Sequence, residues 1–346
     1  MKKSLFFAAL ASVALASCSS EDVIMQIENP TQQSENAAIG FKTYTGGTTR
    51  ASVASNVNTG FGVSAILVNT TNGESLFMND EKVYDNSGWT YDNTKYWPKD
   101  KANNTIDFYF YAPHSSLTNS NVSNVTVTPG ASRAVTIDFA VAATVANQSD
   151  LLWAPAVTGA TSATDNDGSG NNTVKAAFQH VLSKIGFTAI PTTPSITIQV
   201  NSVKIAGSMN DSGTLNLATG AWASVATTGT AQAPLEFEPV LVGGSYVTLA
   251  TAADLSGVQP TRLNADTDYI MVVPTAAASY DITIDYDVID SNSVATNNVI
   301  TVTTGSIAFE KGKGYTFNLN IGADTISFDA SVDPWTETTP TDVNVQ

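Results

Sequence analysis

The sequence has very few of the residues on which most enzymatic and metal chemistry depends. It contains one cysteine, Cys18, and two histidines, His114 and His180. A single thiol excludes a disulfide within the chain and a metal site built from several cysteines. Two histidines far apart in sequence supply little for histidine-dependent catalysis, and no nucleophile elbow, phosphate-binding loop or H-E-x-x-H motif is present. We therefore predict that the protein is not an enzyme and requires no cofactor or metal.

Basic residues are also scarce. The chain has 15 Lys and Arg against 31 Asp and Glu, which gives a formal net charge of -16 and a pI near 4.3. A surface of this charge repels phosphate, so we predict no nucleic-acid partner. Charged residues are only 13% of the chain and hydrophobic residues 42%, a composition typical of β-rich extracellular proteins rather than helical bundles.

The N-terminus has the pattern of a bacterial lipoprotein. Lys2 and Lys3 precede an apolar segment, Leu5–Leu15, which is too short for a stable membrane span and ends in Leu-Ala-Ser before Cys18. We predict that residues 1–17 are the signal peptide and that Cys18 carries acyl chains such as palmitate, which anchor the protein to the outer membrane. The alternative is an ordinary signal peptide with an incidental cysteine. Residues 18–37 are polar and without periodicity, which predicts a flexible tether.

From Ile39 onward the pattern predicts strand after strand. Ile106–Ala112 alternates with aromatics on both faces, and Tyr280–Ile289 has the most regular hydrophobic alternation. Frequent strands without long helices predict an all-β protein of two tandem antiparallel β-sandwich domains. The Gly, Asn, Asp and Ser content of Gly159–Asn172 marks the boundary, so we predict domains at 38–172 and 173–346.

Three stretches allow more than one interpretation. Val174–Phe187 fits both helical and strand periods, and we favour a strand with a bulge or short helical turn. Residues 165–170 resemble the start of a calcium loop, but position twelve is Ala176 where an acid is needed, so a solvated linker is favoured. Trp89, Tyr91, Tyr96 and Trp97 could stack on sugars, although their spacing favours core packing.

Several motifs follow one another along the chain, each occurring once. They are I-G-F at 39–41 with T-R-A at 49–51, W-T-Y-D-N-T-K-Y-W-P at 89–98, F-Y-F-Y-A-P at 108–113, S-D-L-L-W-A at 149–154, F-Q-H-V-L-S-K-I-G-F at 178–187, Y-I-M-V-V-P at 269–274, G-K-G-Y-T-F-N-L-N-I at 312–321 and V-D-P-W at 332–335. Together with the lipobox they resemble the fimbrillin family of Bacteroidetes, the Mfa-like subunits of type V pili, over nearly the whole mature chain.

The resemblance implies a fold and a mechanism of assembly. The implied fold is two β-sandwiches of transthyretin-like topology. The implied protein is exported as a lipoprotein and then cut by an arginine-specific protease. Removal of the first strand then opens a groove that a strand of another subunit fills, so the implied partners are other fimbrial subunits at the cell surface. A host or bacterial surface ligand is a further expected partner.

Carried over to this chain, the resemblance assigns specific residues. Cys18 matches the lipidated cysteine, and cleavage would fall between Arg50 and Ala51. Ile39, Phe41 and Thr43 of the first strand would point into the groove. The candidate donor residues, in two short C-terminal strands between which the sequence does not choose, are Ile326, Phe328, Val332, Val343 and Val345.

The sequence itself favours Arg50 among the three arginines. Arg133 lies between two predicted strands and Arg262 in a loop after Pro260, whereas Arg50 follows a strand and a Gly-Gly-Thr-Thr loop flexible enough to enter a protease cleft. The alternative is that Arg50 is an ordinary surface residue. The competing functional hypothesis is a monomeric outer-membrane lipoprotein that binds glycans, which would not require a removable first strand.

Overall fold

The regular secondary structure of the described residues is almost entirely β-strand. The computed structural model describes residues 37–45, 57, 59–163, 172–230, 234–249, 252–265 and 268–335, and within these ranges it has 23 strands and a short 3-10 helix at Val145–Asn147. The strands are β1 (Gly40–Thr45), β2 (Phe61–Asn69), β3 (Gly73–Asp85), β4 (Trp89–Thr90), β5 (Asn104–Ala112), β6 (Val122–Thr128), β7 (Ala134–Ala140), β8 (Leu152–Ala160), β9 (Thr173–His180), β10 (Ser183–Pro191), β11 (Thr197–Gly207), β12 (Ser212–Asn216), β13 (Ala221–Ala226), β14 (Leu235–Phe237), β15 (Val247–Thr248), β16 (Thr261–Arg262), β17 (Ile270–Val272), β18 (Thr275–Ala278), β19 (Asp281–Ile289), β20 (Ala295–Thr303), β21 (Ile307–Phe309), β22 (Lys313–Ile321) and β23 (Ile326–Pro334). The predicted all-β class is confirmed.

The largest sheet has seven strands in the order β1-β9-β8-β5-β2-β3-β4. Its central strand β5 is buried on both faces, as the alternating aromatics predict. Phe108 and Phe110 point into one core, while Tyr109 and Tyr111 point into a second core shared with the sheet β13-β12-β7-β6. A strand covered on both faces needs apolar residues at successive positions, which explains the aromatic content of this segment.

A second pair of sheets encloses its own core. One sheet has the order β16-β10-β22-β23, with β17 also on β10, and the other has the order β14-β11-β19-β20, with β15 also on β11. Alternate residues of β22 point inward, among them Phe317 and Leu319, and they meet Ile282 and Ile284 of β19. This period of two matches the geometry of a strand with one buried face.

Two strand pairs are parallel, whereas the sequence predicted antiparallel sheets. These are β1 with β9 and β10 with β22. The segment 174–187 forms two strands, β9 and β10, and the chain leaves one sheet and enters another between His180 and Ser183. The strand interpretation is therefore confirmed, with a break between two sheets in place of a bulge.

The predicted division of the chain at residue 172 remains a prediction, as does the transthyretin-like topology. Strand pairing crosses that position in two places. β9 pairs with β8 and β1 in the first sheet, and β12 pairs with β7. Residues after 172 thus complete sheets that begin before it.

Candidate functional site

The candidate site is the position that β1 occupies at the edge of the seven-stranded sheet. β1 lies parallel to β9, with six residue pairs from Gly40↔Thr173 to Thr45↔Phe178. On its other side the chain meets the segment after β4, where the Ile39 N–H donates to the Lys95 carbonyl at 2.9 Å. β1 is therefore inserted between two parts of the fold that come from distant regions of the sequence.

Alternate side chains of this first segment are buried in the core. Ile39 is 2% exposed and Phe41 is 4% exposed, Lys42 between Phe41 and Thr43 is exposed, and Thr43 is half-buried. A strand with this alternation buries one face and leaves the other to solvent.

Phe41 is the main apolar contact of the strand. Its ring lies in edge-to-face geometry against Phe61, Tyr91, Phe108 and Phe110, with centroid separations of 6.5, 5.4, 5.9 and 6.4 Å. Aromatic pairs of this geometry are favourable beyond their area burial. The site of Phe41 is thus a pocket whose walls are four aromatic rings from three segments, namely β2, the residues after β4, and β5.

Tyr91 closes the polar side of the same pocket. Its hydroxyl donates to the Ile39 carbonyl at 2.9 Å and accepts from the Lys95 N–H at 3.0 Å. Burial raises the pKa of Tyr91, so the hydroxyl remains a donor at neutral pH. Trp97 lies nearby, and its backbone N–H donates to the Ala37 carbonyl at 3.0 Å. Sequence reasoning did not assign these residues to the site, although the aromatic run at 89–98 contained them.

β9 depends on β1 for most of its pairing. Its other neighbour, β8, pairs with it only at Leu152↔His180 and Trp153↔Gln179. Over residues 173–178 the register pairs in the described part of the chain are all with β1. If β1 leaves, β9 therefore loses six residue pairs and presents an open edge to any extended segment.

The C-terminal strand β23 is an edge strand in this structure. It pairs antiparallel with β22 from Ile321↔Ile326 to Lys313↔Pro334. Ile326 and Phe328 are half-buried, with the Phe328 ring 6.1 Å from that of Phe317, but Val332 is 52% exposed. This strand is thus only partly covered where it lies.

Trp335 holds the end of β23 in place. Its backbone N–H donates to the Gly312 carbonyl at 2.9 Å. Its indole ring stacks on the His180 imidazole with a centroid separation of 3.9 Å and an interplanar angle of 9°. His180 Nδ1 lies 2.7 Å from the Asp150 carboxylate. His180 is thus packed between an aromatic ring and a carboxylate.

The other histidine is also structural in its contacts. His114 lies in a loop after β5, as predicted, with Nδ1 2.8 Å from the Ser116 hydroxyl and Nε2 3.0 Å from the Asp80 carbonyl. Its ring stacks on Tyr111. In the part of the chain that the structure describes, no group of three or more potential metal ligands is found.

An ion-pair cluster that sequence reasoning missed holds Arg133. The guanidinium contacts both Glu74 oxygens at 2.7 and 3.0 Å, Asp107 Oδ2 at 2.5 Å and the Tyr109 hydroxyl at 3.0 Å. The hydrogen bonds from Arg133 and from the Gly130 N–H lower the pKa of Glu74. All three guanidinium nitrogens are engaged, so this side chain is held against the fold.

Five predicted site residues lie outside the described residues, as does the calcium-like stretch 165–170. These residues are Cys18, Arg50, Ala51, Val343 and Val345. Their assigned roles, and the roles of the β1 and β23 residues, remain predictions. No helix among the described residues is long and apolar enough to cross a membrane.

The four aromatics near the site do not share one exposed face. Tyr91 and Trp97 are buried and Trp89 is half-buried, which confirms core packing for these side chains. Tyr96 is 54% exposed. The arrangement does not present the row of rings that a sugar-stacking surface would need.

The protein is therefore an all-β protein of several sheets, with a strand at one sheet edge whose alternate side chains are buried. The fimbrillin-like family profile matches residues 49–335, and the chain belongs to this family. The matched region starts after β1. No match to a curated protein was found.

A solved structure of a fimbrial protein agrees with this fold. A fimbrial protein from Bacteroides vulgatus is 21% identical, with a TM-score of 0.65, covering 87% of this chain and 100% of that one. A protein from Bacteroides uniformis described as a candidate for cell adhesion is 18% identical, with a TM-score of 0.45 and coverage of 87% and 98%. The tip fimbrial protein Mfa3 from Porphyromonas gingivalis, with a C-terminal truncation, is 9% identical, with a TM-score of 0.34 and coverage of 87% and 100%. Membership of the fimbrillin-like family places this chain among fimbrial proteins of the cell surface.

Proposed function

We propose that the protein is a fimbrial subunit that is exported as a lipoprotein on Cys18 and polymerises by strand exchange at the position of β1. The observation that carries the proposal is the way β1 is held. Ile39 and Phe41 are buried in the core, yet among the described residues the segment has its backbone pairing with β9 and with the residues after β4. Loss of such a strand leaves both an apolar pocket and unpaired backbone groups, the two features that bind an extended peptide.

Cleavage after Arg50 would convert β1 into a separate peptide. The chain from 1 to 50 would then be held by non-covalent contacts alone, and its loss would open the site. Arg133 is held by the ion-pair cluster around it, and Arg262 lies within β16. A folded subunit therefore offers an arginine-specific protease poor access to those two positions, since proteases prefer exposed loops.

The test uses the chain from Ser19 onward, digested with an arginine-specific protease. We expect one cut, after Arg50, followed by release of the β1 peptide and a ladder of oligomers that resist SDS. An Arg50→Lys variant is the matched control and should stay uncut and monomeric. A chain that is cut, releases β1 and remains monomeric at high concentration would overturn self-assembly, and first cleavage at Arg133 or Arg262 would overturn the processing step.

Lipidation at Cys18 has a separate test. In cells that make the full chain, labelled fatty acid should appear on the wild-type protein and not on Cys18→Ala, and the wild type should fractionate with the outer membrane. Several acyl chains are needed for durable anchoring, because each buried CH₂ contributes only about 0.8 kcal/mol. Equal labelling of the two proteins would contradict this assignment.

A further inference from the structure

The strand β20 ends the sheet β14-β11-β19-β20, and among the described residues it pairs only with β19. The pairing has nine consecutive residue pairs, from Asp281↔Thr303 to Ile289↔Ala295, without a register shift. The strand reads A-T-N-N-V-I-T-V-T and contains no charged residue and no proline. A long, regular and uncharged edge strand is a template on which a further strand can pair.

The other long edge strands of the described sheets each carry a feature that hinders such pairing. These features are Lys42 in β1, Asp329, Asp333 and Pro334 in β23, a register shift around Asn124 in β6, and a register shift of β13 against β12. Charges, proline and bulges are the usual means by which proteins protect their sheet edges. Among the described edge strands of six residues or more, β20 is the one that lacks them.

Two hydrogen bonds at the ends of the β19–β20 ladder show which backbone groups of β20 face the open side. The Thr304 N–H donates to the Tyr280 carbonyl at 2.7 Å, and the Asp290 N–H donates to the Val294 carbonyl at 3.1 Å. Hydrogen-bonded and non-hydrogen-bonded pairs alternate along an antiparallel ladder, so the even-numbered residues of β20 bond to β19. The N–H and C=O groups of its odd-numbered residues therefore point away from β19.

The side chains of these odd-numbered residues leave the row of backbone groups accessible. The polar ones are turned toward β19, as where Asn297 donates to Asp285 at 2.7 Å and to Asp287 at 2.9 Å. Val299, at the centre of the strand, is 61% exposed. The edge thus presents an apolar side chain in the middle of a row of backbone donors and acceptors.

We propose that β20 is an interface between copies of this chain, where it pairs antiparallel with β20 of a second copy about a two-fold axis through Val299. In this register Val299 faces Val299 of the second copy, Asn297 faces Thr301, and Ala295 faces Thr303. Each of these pairs joins residues whose N–H and C=O groups point outward, so each pair can exchange two hydrogen bonds. The segment is therefore complementary to itself, as a two-fold symmetric contact requires.

Apolar contacts favour the same register. The two Val299 side chains, exposed in a single copy, form a cross-strand pair of β-branched residues. On the opposite face of the strand, Ile300 and Val302 are only half-buried against the core. A strand of the second copy beside them covers part of the surface that they now expose to water, which favours association.

The charge of the protein favours contact at an uncharged strand. Two copies that each carry a formal charge of -16 repel each other, and β20 adds no charge to the contact. The carboxylates on the adjacent strand β19 are Asp281, Asp285 and Asp287. In the paired sheet the two β19 strands are three strand spacings apart, or about 14 Å, which exceeds the Debye length of about 8 Å at physiological ionic strength. We therefore expect association to weaken as salt is lowered.

A contact made by one pair of strands is small. Nine residues span about 30 Å of a single sheet edge, so the contact between two isolated subunits is weak. In a fimbria, a step that rests on the proposed function, the same contact would repeat from subunit to subunit and hold two filaments side by side.

Cysteine cross-linking tests the two-fold axis in the uncut chain from Ser19 onward, which retains β1 and has no native cysteine. Val299→Cys should form a disulfide-linked homodimer, because facing residues of a hydrogen-bonded pair have Cα atoms about 5.5 Å apart, a distance that a disulfide spans. Val225→Cys, at an exposed valine of the edge strand β13, is the matched control and should cross-link only at the rate of random collision. Equal rates for the two variants would overturn the proposal.

A mixture of two variants reports the register. Asn297→Cys mixed with Thr301→Cys should give the mixed disulfide, whereas Asn297→Cys alone should not, because residues 297 of the two copies lie four residues apart, or about 14 Å along the edge. Adding Val299→Lys to both members should slow the mixed cross-linking about fivefold through like charges at the axis, and adding Val225→Lys should leave it unchanged. A rate that is the same with and without Val299→Lys would refute this register.

The outcomes keep this inference separate from the proposed function. The uncut chain retains β1, so failure of the cross-linking overturns the β20 contact and leaves strand exchange standing. After cleavage, Val299→Lys should still form filaments, but in electron micrographs they should stay single where wild-type filaments lie side by side. Wild-type filaments that remain single would overturn the lateral contact, and wild type that forms no filaments would refute the proposed function alone.

Discussion

Replacement of Phe41 by alanine measures how tightly β1 is docked. Phe41 is 4% exposed and contacts four aromatic rings, so the substitution removes the main apolar contact of the strand. A buried aromatic side chain removes about 150–250 Å² from water, which at about 25 cal/mol per Å² is about 4–6 kcal/mol as an upper estimate. Alanine retains part of this area, and measured Phe→Ala costs in cores are about 3–5 kcal/mol.

The effect should appear in two assays on the uncut chain. Urea unfolding should show a loss of about 3–5 kcal/mol if β1 unfolds with the rest of the first sheet. Hydrogen exchange should show faster exchange at residues 173–178 of β9, because these amides lie on the strand that pairs with β1. Lys42→Ala, on the exposed face of the same strand, is the control and should change stability by less than about 0.5 kcal/mol.

Two results would refute the reasoning about Phe41. A stability loss below about 1 kcal/mol would mean that the four rings close around the missing side chain and that Phe41 does not hold β1. Unchanged exchange at residues 173–178 would mean that β9 is stable without its partner strand. In that case removal of β1 would not create an open sheet edge, and the proposal of strand exchange at the position of β1 would lose its basis.

Three further substitutions test the rest of the fold. Arg133→Gln should lower the free energy of unfolding in urea by about 1–3 kcal/mol, because it leaves the carboxylates of Glu74 and Asp107 without their partner. The difference from wild type should shrink as the pH falls through the lowered pKa of Glu74. A difference that does not change with pH would argue against the ion pairs. Burial raises the pKa of Tyr280 to about 12, and its hydroxyl has no hydrogen-bond partner. Wild type should therefore lose stability between about pH 10 and 12, and Tyr280→Phe should lose less, as measured by thermal melts at pH 7 and 11. Equal losses would show that Tyr280 is not the titrating group. Gly62→Ala should cost about 1–3 kcal/mol by thermal melting, since its Cβ would lie 2.2 Å from the Tyr111 ring, and a neutral result would mean that the ring moves aside without strain.

Local patterns in the sequence predicted much of the fold. The alternation in β5 and β19 was sufficient to place these strands, because each residue type matches the burial of its own position. The segment 174–187 was harder, since its two strands enter different sheets and no local signal marks that change.

The groove was the part that sequence could not supply. Tyr91, Trp97 and the Lys95 carbonyl meet β1 from a segment about fifty residues later, and Phe178 lies further still along the chain. Sequence spacing contains no information on such contacts, because they depend on which strands pair. The Arg133 cluster was missed for the same reason, as its partners come from β3 and β5.

The sequence by itself determined the all-β class of the protein, since period-two alternation specifies strands. The ordered motifs identified the family that the profile match confirms. Only the tertiary structure decided that β1 pairs in parallel with β9 and that Lys42 lies beside Lys175. Strand direction and register arise from packing between distant segments, and the sequence of either strand alone does not encode its partner.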